Sequence, residues 1–192
     1  MEGTIIDGHA EHVKALKQVE EITLIKGAIK GEQRDFLALI NNYKSYLYKT
    51  AFLYVKNNED AIDIYQETVY KAYLNIGKLK NPMYFKTWMT RILINNAKDK
   101  IAELATEDRY VEIEKCMDKV EESREVSLDE KIDLYNAIDS LEEKYRTPII
   151  LNYFQGLTTK EIAQILETPE NSIKSYIRRG KAALYKTLRE GE

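Results

Sequence analysis

One short segment near the C-terminus, residues 155–163, limits the fold more than any other part of this chain. It reads Gln-Gly-Leu-Thr-Thr-Lys-Glu-Ile-Ala. Gly156 can end a preceding helix in a left-handed conformation that other residues adopt only at a cost. Thr158, followed three residues later by Glu161, can form a capping box for the first free N–H groups of a new helix. The segment therefore predicts that one helix ends at Gly156 and that another begins beside it.

The flanking residues predict that these helices are short and that a third follows closely. Pro148 is expected at the start of the helix before the segment. The helix after the capping box should end near Leu166, where Thr168 can cap the next helix with Pro169 at its first position. Two capped helices, each too short to be stable alone and joined by a turn of a few residues, are typical of a helix-turn-helix.

The last helix of this pair has an apolar face and a basic face. Ile173, Ile177 and Leu184, with the small Gly180 between them, recur at helical spacing and should face the core. The opposite face carries basic and hydroxyl side chains, which can donate hydrogen bonds in the DNA major groove. These candidate DNA-binding residues are Lys174, Ser175, Arg178, Arg179 and Lys181. A solvated basic face on an ordinary helix is the alternative, but the caps and the short turn favour DNA binding.

The rest of the chain also has a helical pattern, which predicts an all-α fold. Only 8 Gly and 3 Pro occur in 192 residues, too few turn-forming residues for a many-stranded sheet. Phe36 and Ile40 begin a run of apolar residues at helical spacing. Asn57 can cap a second helix, and Pro82 marks a further turn. Residues 22–104 are therefore expected to form one helical domain.

Charge and periodicity divide the remainder of the chain. Residues 105–129 are rich in Asp and Glu without clear periodicity, which predicts a solvated acidic linker. Residues 130–192 form a second helical domain, which holds the helix-turn-helix. Residues 1–21 have no strong apolar period and are an N-terminal extension of unknown role. The net charge of −3 argues against a general nucleic-acid binder and favours one local contact through the basic last helix.

The sequence predicts neither export nor membrane insertion. No apolar run approaches the ~18 residues that a membrane span needs, and the N-terminus lacks the basic and apolar regions of a signal peptide. Cys116 is the one cysteine, so it cannot form an internal disulfide, and this fits a reducing cytoplasm. His9 and His12 could supply two metal ligands, but no third lies near them. We therefore predict no metal site and no cofactor.

The C-terminal domain resembles the promoter-reading domain of the sigma-70 family of bacterial RNA polymerase sigma factors. The matching residues follow the family's order and spacing, although Glu142 stands where the family commonly has proline. They are Leu141, Arg146, Glu161, Ile162, Ala163, Ser172, Ile173, Lys174, Ser175 and Arg179.

The N-terminal domain resembles the same family independently. Residues 63–68, Asp-Ile-Tyr-Gln-Glu-Thr, are similar to the signature of the region that grips the polymerase clamp. Residues 85–92, followed by Asn95 and Asp99, are similar to the helix that reads the melted upstream promoter element. Both resemblances occur in one small chain without further domains, which points to the extracytoplasmic-function group of sigma factors.

The resemblance implies roles for two sets of residues. A basic coiled coil in core RNA polymerase would bind Asp60, Asp63, Gln66 and Glu67. Unpaired promoter DNA would bind Trp88, Arg91, Asn95 and Lys98. It also implies three partners, namely core polymerase, promoter DNA and an anti-sigma factor, and no enzymatic activity of the chain itself.

Two of these assignments have a further interpretation from the residues themselves. Trp88 is also expected as a core residue, because Met89 and Ile92 continue an apolar stripe beside it. Asn95 is the better candidate for base contact, because its amide both donates and accepts and can read the edge of a flipped base.

Two other classes of function remain open on the sequence alone. A helix-turn-helix regulator could bind duplex DNA without joining polymerase, but it would not need the signatures in residues 63–68 and 85–99. A small metal-dependent hydrolase could use Asp60, Asp63 and Glu67, which are expected on one helix face. It would need further ligands from other helices.

Overall fold

Eight α-helices make up most of the part of the chain that the computed structural model describes. The backbone is described for residues 3–106 and 128–190, and side chains for residues 15–105 and 134–189. Most of the expected acidic linker, including Cys116, lies outside these ranges, as do the side chains of His9 and His12. No helix in the described ranges is long and apolar enough to cross a membrane.

Every regular element in these ranges is helical, which confirms the all-α prediction. The N-terminal block contains α1 (Gly3–Ile29), α2 (Gln33–Val55), α3 (Asn58–Asn75) and α4 (Phe85–Thr106), with short 3-10 turns at Ile76–Lys78 and Pro82–Tyr84. The C-terminal block contains α5 (Leu128–Asp139), α6 (Glu143–Ile149), α7 (Thr159–Leu166) and α8 (Glu170–Glu190), with a π-helical turn at Ile150–Phe154 after α6.

Helix α1 begins much earlier than the sequence pattern indicates. Residues 1–21 lack an apolar period, yet the helix starts at Gly3 and continues into the packed segment. Ile25 and Ala28 are buried in the core, whereas Leu16 and Val19 are exposed. Since adding turns to an existing helix costs much less than starting one, the packed second half can support a first half without an apolar face.

Helix α4 is central to the N-terminal block. Phe85, Met89, Leu93 and Ala97 recur every four residues and are all buried, and α4 packs against both α2 and α3. The ring of Phe85 meets Tyr43 edge to face, with the ring centroids 5.3 Å apart. This buried stripe fixes the rotation of α4, so its other side chains point towards α3, the C-terminal block or solvent.

The connection between α2 and α3 follows the prediction for Asn57. Lys56 adopts a left-handed conformation with φ of 51° and ends α2. The Asn57 side chain then accepts hydrogen bonds from the backbone N–H groups of Glu59, at 2.8 Å, and Asp60, at 3.1 Å. These bonds satisfy N–H groups that would otherwise lack a partner at the start of α3.

The prediction that Pro148 starts a helix is wrong. Helix α6 begins at Glu143 and contains Pro148 in its last turn. Proline has no N–H to donate and its ring clashes with the preceding turn. The backbone passes directly into the π-helical turn, a wider form in which each hydrogen bond spans one more residue. Gly156, at φ of 63°, then reverses the chain as predicted.

The capping box before α7 is confirmed. The Glu161 N–H donates to Thr158 Oγ1 at 3.2 Å, and the Thr158 N–H donates to Glu161 Oε2 at 2.8 Å. Each residue therefore satisfies a backbone donor of the other.

Thr168, by contrast, does not cap α8 as predicted. Its hydroxyl donates back to the Leu166 carbonyl at 3.0 Å, because the chain turns at Glu167, which has φ of 51°. The Ser172 and Ile173 N–H groups bond to the carbonyl of Pro169. Pro169 is therefore the N-cap residue of α8, whereas the sequence predicted Thr168 as the N-cap and Pro169 as the first helical residue.

Helix α8 packs closely on α6 because one of its residues has no side chain. Ile173, Ile177 and Gly180 are buried, as predicted, and Leu184 is partly buried against the same core. A Cβ atom on Gly180 would lie 2.8 Å from Ile149 Cγ1 and 3.4 Å from Tyr145 Cβ. Ile149 is itself fully buried, so it has little room to move away.

We predict that Gly180→Ala destabilises the protein. The methyl group would overpack α6 against α8, at a cost of about 1–3 kcal/mol that exceeds or cancels the helix-propensity gain of about 1 kcal/mol. The measurement is the free energy of unfolding in urea. Gly77→Ala is the control, since a Cβ there would come no closer than 3.9 Å to its nearest neighbour, the Ile29 carbonyl oxygen. A Gly180→Ala protein more stable than wild type would contradict the close approach.

Candidate nucleic-acid interface and docking face

Helix α3 presents three polar side chains to solvent, and we call Asp63, Gln66 and Glu67 the docking face. The side chains of Asp63 and Glu67 are 64% and 49% exposed, and Gln66 is also exposed. Asp60, which was expected on the same helix face, is buried rather than exposed. It is 7% exposed and ion-pairs with Lys100 of α4, at 3.3 Å.

Two lysines lie directly beside these carboxylates. Lys100 Nζ is 3.9 Å from Asp63 and 3.5 Å from Glu103, in addition to its pair with Asp60. Burial disfavours the charged ammonium, but the hydrogen bonds and charges of Asp60 and Glu103 together outweigh it and raise the pKa of Lys100. Lys71 Nζ lies 3.3 Å from Glu67. Each carboxylate of the docking face therefore already has a cation beside it, although Lys100 is shared with Asp60 and Glu103.

The carboxylates of α3 do not form a metal site in the structure described. No group of three or more His, Cys, Asp or Glu side chains in the described ranges is arranged to hold a metal ion. The ammonium of Lys100 instead occupies the space between Asp60 and Asp63. This arrangement disfavours the metal-dependent hydrolase as an explanation of the acidic cluster.

Helix α4 carries the four residues expected to meet unpaired DNA, and they occupy different environments. Trp88 packs partly buried against the core, with its ring 6.1 Å from that of Phe85. This placement agrees with its interpretation as a core residue. Asn95 is exposed. Arg91 and Lys98 point to the C-terminal block.

Among the side chains that the structure describes, three ion pairs join the two blocks, and we call them the block contact. Arg91 Nη1 lies 2.9 Å from Glu167, and its Nη2 also donates to the Gln164 carbonyl. Lys98 Nζ lies 2.8 Å from Glu143. Lys56 Nζ lies 2.5 Å from Asp139 and donates to the Tyr135 carbonyl. In each pair the cation belongs to the N-terminal block and the carboxylate to the C-terminal block.

A buried tyrosine and an open cavity lie close to the block contact. Tyr54 is 4% exposed, and burial raises the pKa of its hydroxyl, which lies near Thr147 and Arg146. A cavity of about 650 Å³ lies between α4 and the C-terminal block, and Asn95 and Ile165 are among the residues that line it. Asn95 is thus open to solvent but faces the C-terminal block.

The basic face of α8 is largely open. Arg178 and Arg179 are exposed, and Ser175 is partly buried. Lys174 pairs with Glu170 at 2.9 Å, and its hydrogen bond lowers the pKa of that carboxyl. Lys181 lies over the ring of Tyr153, 5.5 Å from its centroid. Since these residues lie on the second helix of the predicted helix-turn-helix, the arrangement can present α8 to a duplex groove.

Sequence reasoning missed the acidic partners of three cations of the N-terminal block. Asp139, Glu143 and Glu167 lie on the C-terminal block, far from Lys56, Lys98 and Arg91 in sequence, and nothing local marks them as partners. Asn96 was also missed. It is only 5% exposed and accepts a hydrogen bond from Lys71 at 2.6 Å, and its one sequence signal is a polar residue on the buried side of α4.

Comparisons with known proteins match both blocks to one family. The model of "Sigma-70 region 2" matches residues 39–106, and that of "Sigma-70, region 4" matches residues 131–184. Two solved structures share the fold. CnrH, in complex with the cytosolic domain of CnrY, has a TM-score of 0.68 at 20% identity, covering 90% of this chain and 99% of that one. The sigma factor RpoE of Bartonella quintana, in complex with the anti-sigma factor NepR, has a TM-score of 0.67 at 22% identity, covering 81% and 98%.

Curated relatives extend the likeness over most of the chain. The ECF RNA polymerase sigma factor SigW of Bacillus subtilis is 35% identical over 178 residues, which cover 86% of this chain and 95% of SigW. SigV of the same organism is 33% identical over 144 residues, covering 73% and 82%. The ECF sigma-E factor of Escherichia coli is 27% identical over 180 residues, covering 88% and 94%. The chain therefore belongs to the sigma-70 family, in its extracytoplasmic-function group of RNA polymerase sigma factors.

Proposed function

We propose that this chain is an alternative sigma factor, a detachable subunit that binds core RNA polymerase and directs promoter recognition, melting and the initiation of transcription. The observation that carries the proposal is the presence of regions 2 and 4, in that order, in one chain of 192 residues. In this role the protein is a regulatory subunit of polymerase, not an enzyme, and it works in the cytoplasm.

Core polymerase is proposed to bind the docking face. Asp63 and Glu67 are exposed carboxylates one helical turn apart, which suits a cationic helical surface on the partner. Gln66 lies between them and adds an amide that both donates and accepts. Asp60 contributes indirectly in this proposal, by holding Lys100 against α3.

Helix α4 is proposed to read the melted upstream element. Asn95 would recognise a flipped base through its amide, while Arg91 and Lys98 would bind phosphates. Both cations are engaged by Glu167 and Glu143 in the packed arrangement. The C-terminal block therefore has to move away from α4 before these side chains can bind DNA.

Helix α8 is proposed to read the second promoter element as a duplex. Arg179 is exposed near the middle of the helix and is assigned a base contact, and Lys186 lies about two turns further along and is assigned a phosphate contact. The remaining basic face, Lys174, Ser175, Arg178 and Lys181, would position the helix in the groove.

An anti-sigma factor is proposed as a further partner. NepR binds the sigma factor RpoE in a structure that shares this fold. In this chain such a partner would compete with core polymerase or hold the block contact closed.

The proposed opening predicts that Glu143→Lys together with Glu167→Lys weakens the block contact. The new lysines would face Lys98 and Arg91, so attraction becomes repulsion. Small-angle X-ray scattering at low salt should then give a larger radius of gyration than for wild type. The charge control is Glu20→Lys with Glu32→Lys, the same change at exposed residues of the N-terminal block. An unchanged radius in the test variant would mean that these ion pairs do not hold the blocks together.

A further prediction concerns the docking face. Asp63→Lys together with Glu67→Lys should strongly reduce association with core polymerase, because it places two cations where the partner's cations are proposed to bind. Both residues are exposed, but the new lysines would lie beside Lys100 and Lys71, so the free energy of unfolding should fall by on the order of 1 kcal/mol while the protein stays folded. A pull-down with core polymerase measures the effect beside the same charge control. Equal recovery of both variants would remove this face from the interface.

Another prediction separates base reading from phosphate binding on α8. Arg179→Ala should cost about 1–3 kcal/mol and relax the preference at one base pair. Lys186→Ala should weaken all promoters alike and reduce the salt dependence by about one ion. Transcription from a library of upstream duplex elements at two salt concentrations distinguishes the two. If Arg179→Ala lowers every promoter equally, its assignment to a base is wrong.

A further inference from the structure

Lys71 is held between a docking-face carboxylate and a buried amide. Its Nζ lies 3.3 Å from Glu67 Oε1, one turn earlier on α3, and donates to Asn96 Oδ1 of α4 at 2.6 Å. The Lys71 side chain is 44% exposed and that of Glu67 49%, whereas Asn96 is 5% exposed. One cation therefore connects the exposed surface of α3 with the interior of the N-terminal block.

The orientation of Asn96 is fixed from its other end. Its Nδ2 donates to Thr68 Oγ1 at 3.0 Å, and the Thr68 hydroxyl donates in turn to the Ile64 carbonyl at 2.7 Å. Thr68 is completely buried. If the Asn96 amide were reversed, its NH₂ group would lie against the Lys71 ammonium. Both groups are hydrogen-bond donors and neither can accept a hydrogen bond, so Asn96 Oδ1 must face Lys71.

This anchor distinguishes the Glu67–Lys71 pair from an ordinary surface pair. Exposed ion pairs on a helix are weak, partly because two long side chains lose freedom when they meet. Here the hydrogen bond to Asn96 already holds the lysine side chain in place. If the ammonium moved away, the buried Asn96 Oδ1 would lose this hydrogen bond. The ammonium therefore stays beside Glu67 rather than exchanging freely with solvent.

We propose that Lys71, anchored by Asn96, is a built-in competitor for the docking face. Its ammonium is paired with the Glu67 carboxylate in the free protein. A cationic surface of core polymerase must therefore share Glu67 with Lys71 or displace Lys71 from it. Lys71 thereby lowers the affinity of this chain for the core enzyme. Asn96 is a positioning residue that acts through Lys71. The inference rests on the proposed polymerase contact and adds a residue pair that sets its strength.

The competitor gives the docking face a different charge from the one its carboxylates suggest. Lys71 lies beside Glu67 and offsets its charge. Lys100 lies beside Asp63 but is shared with Asp60 and Glu103, so the surface keeps a net negative charge that Lys71 reduces. Removing Lys71 makes the surface more negative, and a cationic partner should bind it more tightly.

The test is the affinity of Lys71→Met for core polymerase, measured by direct binding at low and moderate salt. Methionine keeps the length of the side chain and favours helix. We expect a dissociation constant about two- to fivefold lower than that of wild type, in line with the strength of one exposed ion pair, and a smaller gain at higher salt. Lys44→Met is the control for net charge, at an exposed position on α2. Equal or weaker binding of Lys71→Met overturns the proposal.

Two further variants test whether the effect runs through the named partners. The gain from Lys71→Met should disappear in a Glu67→Gln background, and a gain that persists there overturns the proposal. Asn96→Leu should tighten binding in the wild-type background but add nothing once Lys71 is methionine. An added gain would show that Asn96 does not act through Lys71.

Glu67→Gln alone distinguishes failure of the competitor from failure of the polymerase contact, because unchanged binding by this variant removes the docking face itself.

Discussion

The contacts of α4 decide which surfaces of this protein are open to a partner. Its buried stripe of Phe85, Met89, Leu93 and Ala97 fixes the helix in the N-terminal block. With that rotation set, Arg91 and Lys98 meet carboxylates of the C-terminal block, Lys100 meets those of α3, and Asn96 holds Lys71. One helix thus controls the residues proposed to meet the upstream element, the docking face and the packing of the two blocks.

The forces on the two sides of α4 differ in kind. Its apolar side is buried in the core of the N-terminal block, and loss of that packing would unfold the block. Most of its polar contacts are part-exposed ion pairs, each worth on the order of 1 kcal/mol or less and sensitive to salt. Contacts of that strength can be exchanged for DNA phosphates or for a cationic protein surface without unfolding either block. The structure therefore combines a stable scaffold with exchangeable electrostatic contacts at the surfaces assigned to partners.

Local chemistry could be predicted from the sequence, and contacts between distant segments could not. The Thr158–Glu161 capping box and the Asn57 cap act within three residues, so their sequence signals are complete. Helical spacing likewise identified Ile173 and Ile177 as core. The predictions for Pro148 and Thr168 failed because a π-helical turn and a left-handed Glu167 changed the local path. The burial of Asp60 and the block contact depend on how helices pack, which spacing along one helix does not encode.

Reconstitution with core RNA polymerase free of any sigma factor tests the central claim most directly. The purified chain is mixed with core enzyme and a library of genomic fragments, and both co-purification and the 5′ ends of transcripts are recorded. We expect a stable complex and transcripts that begin downstream of one shared pair of promoter elements. A chain that binds duplex DNA but neither co-purifies with the core enzyme nor produces promoter-specific transcripts would be an independent helix-turn-helix regulator, and its assignment as a polymerase subunit would be wrong.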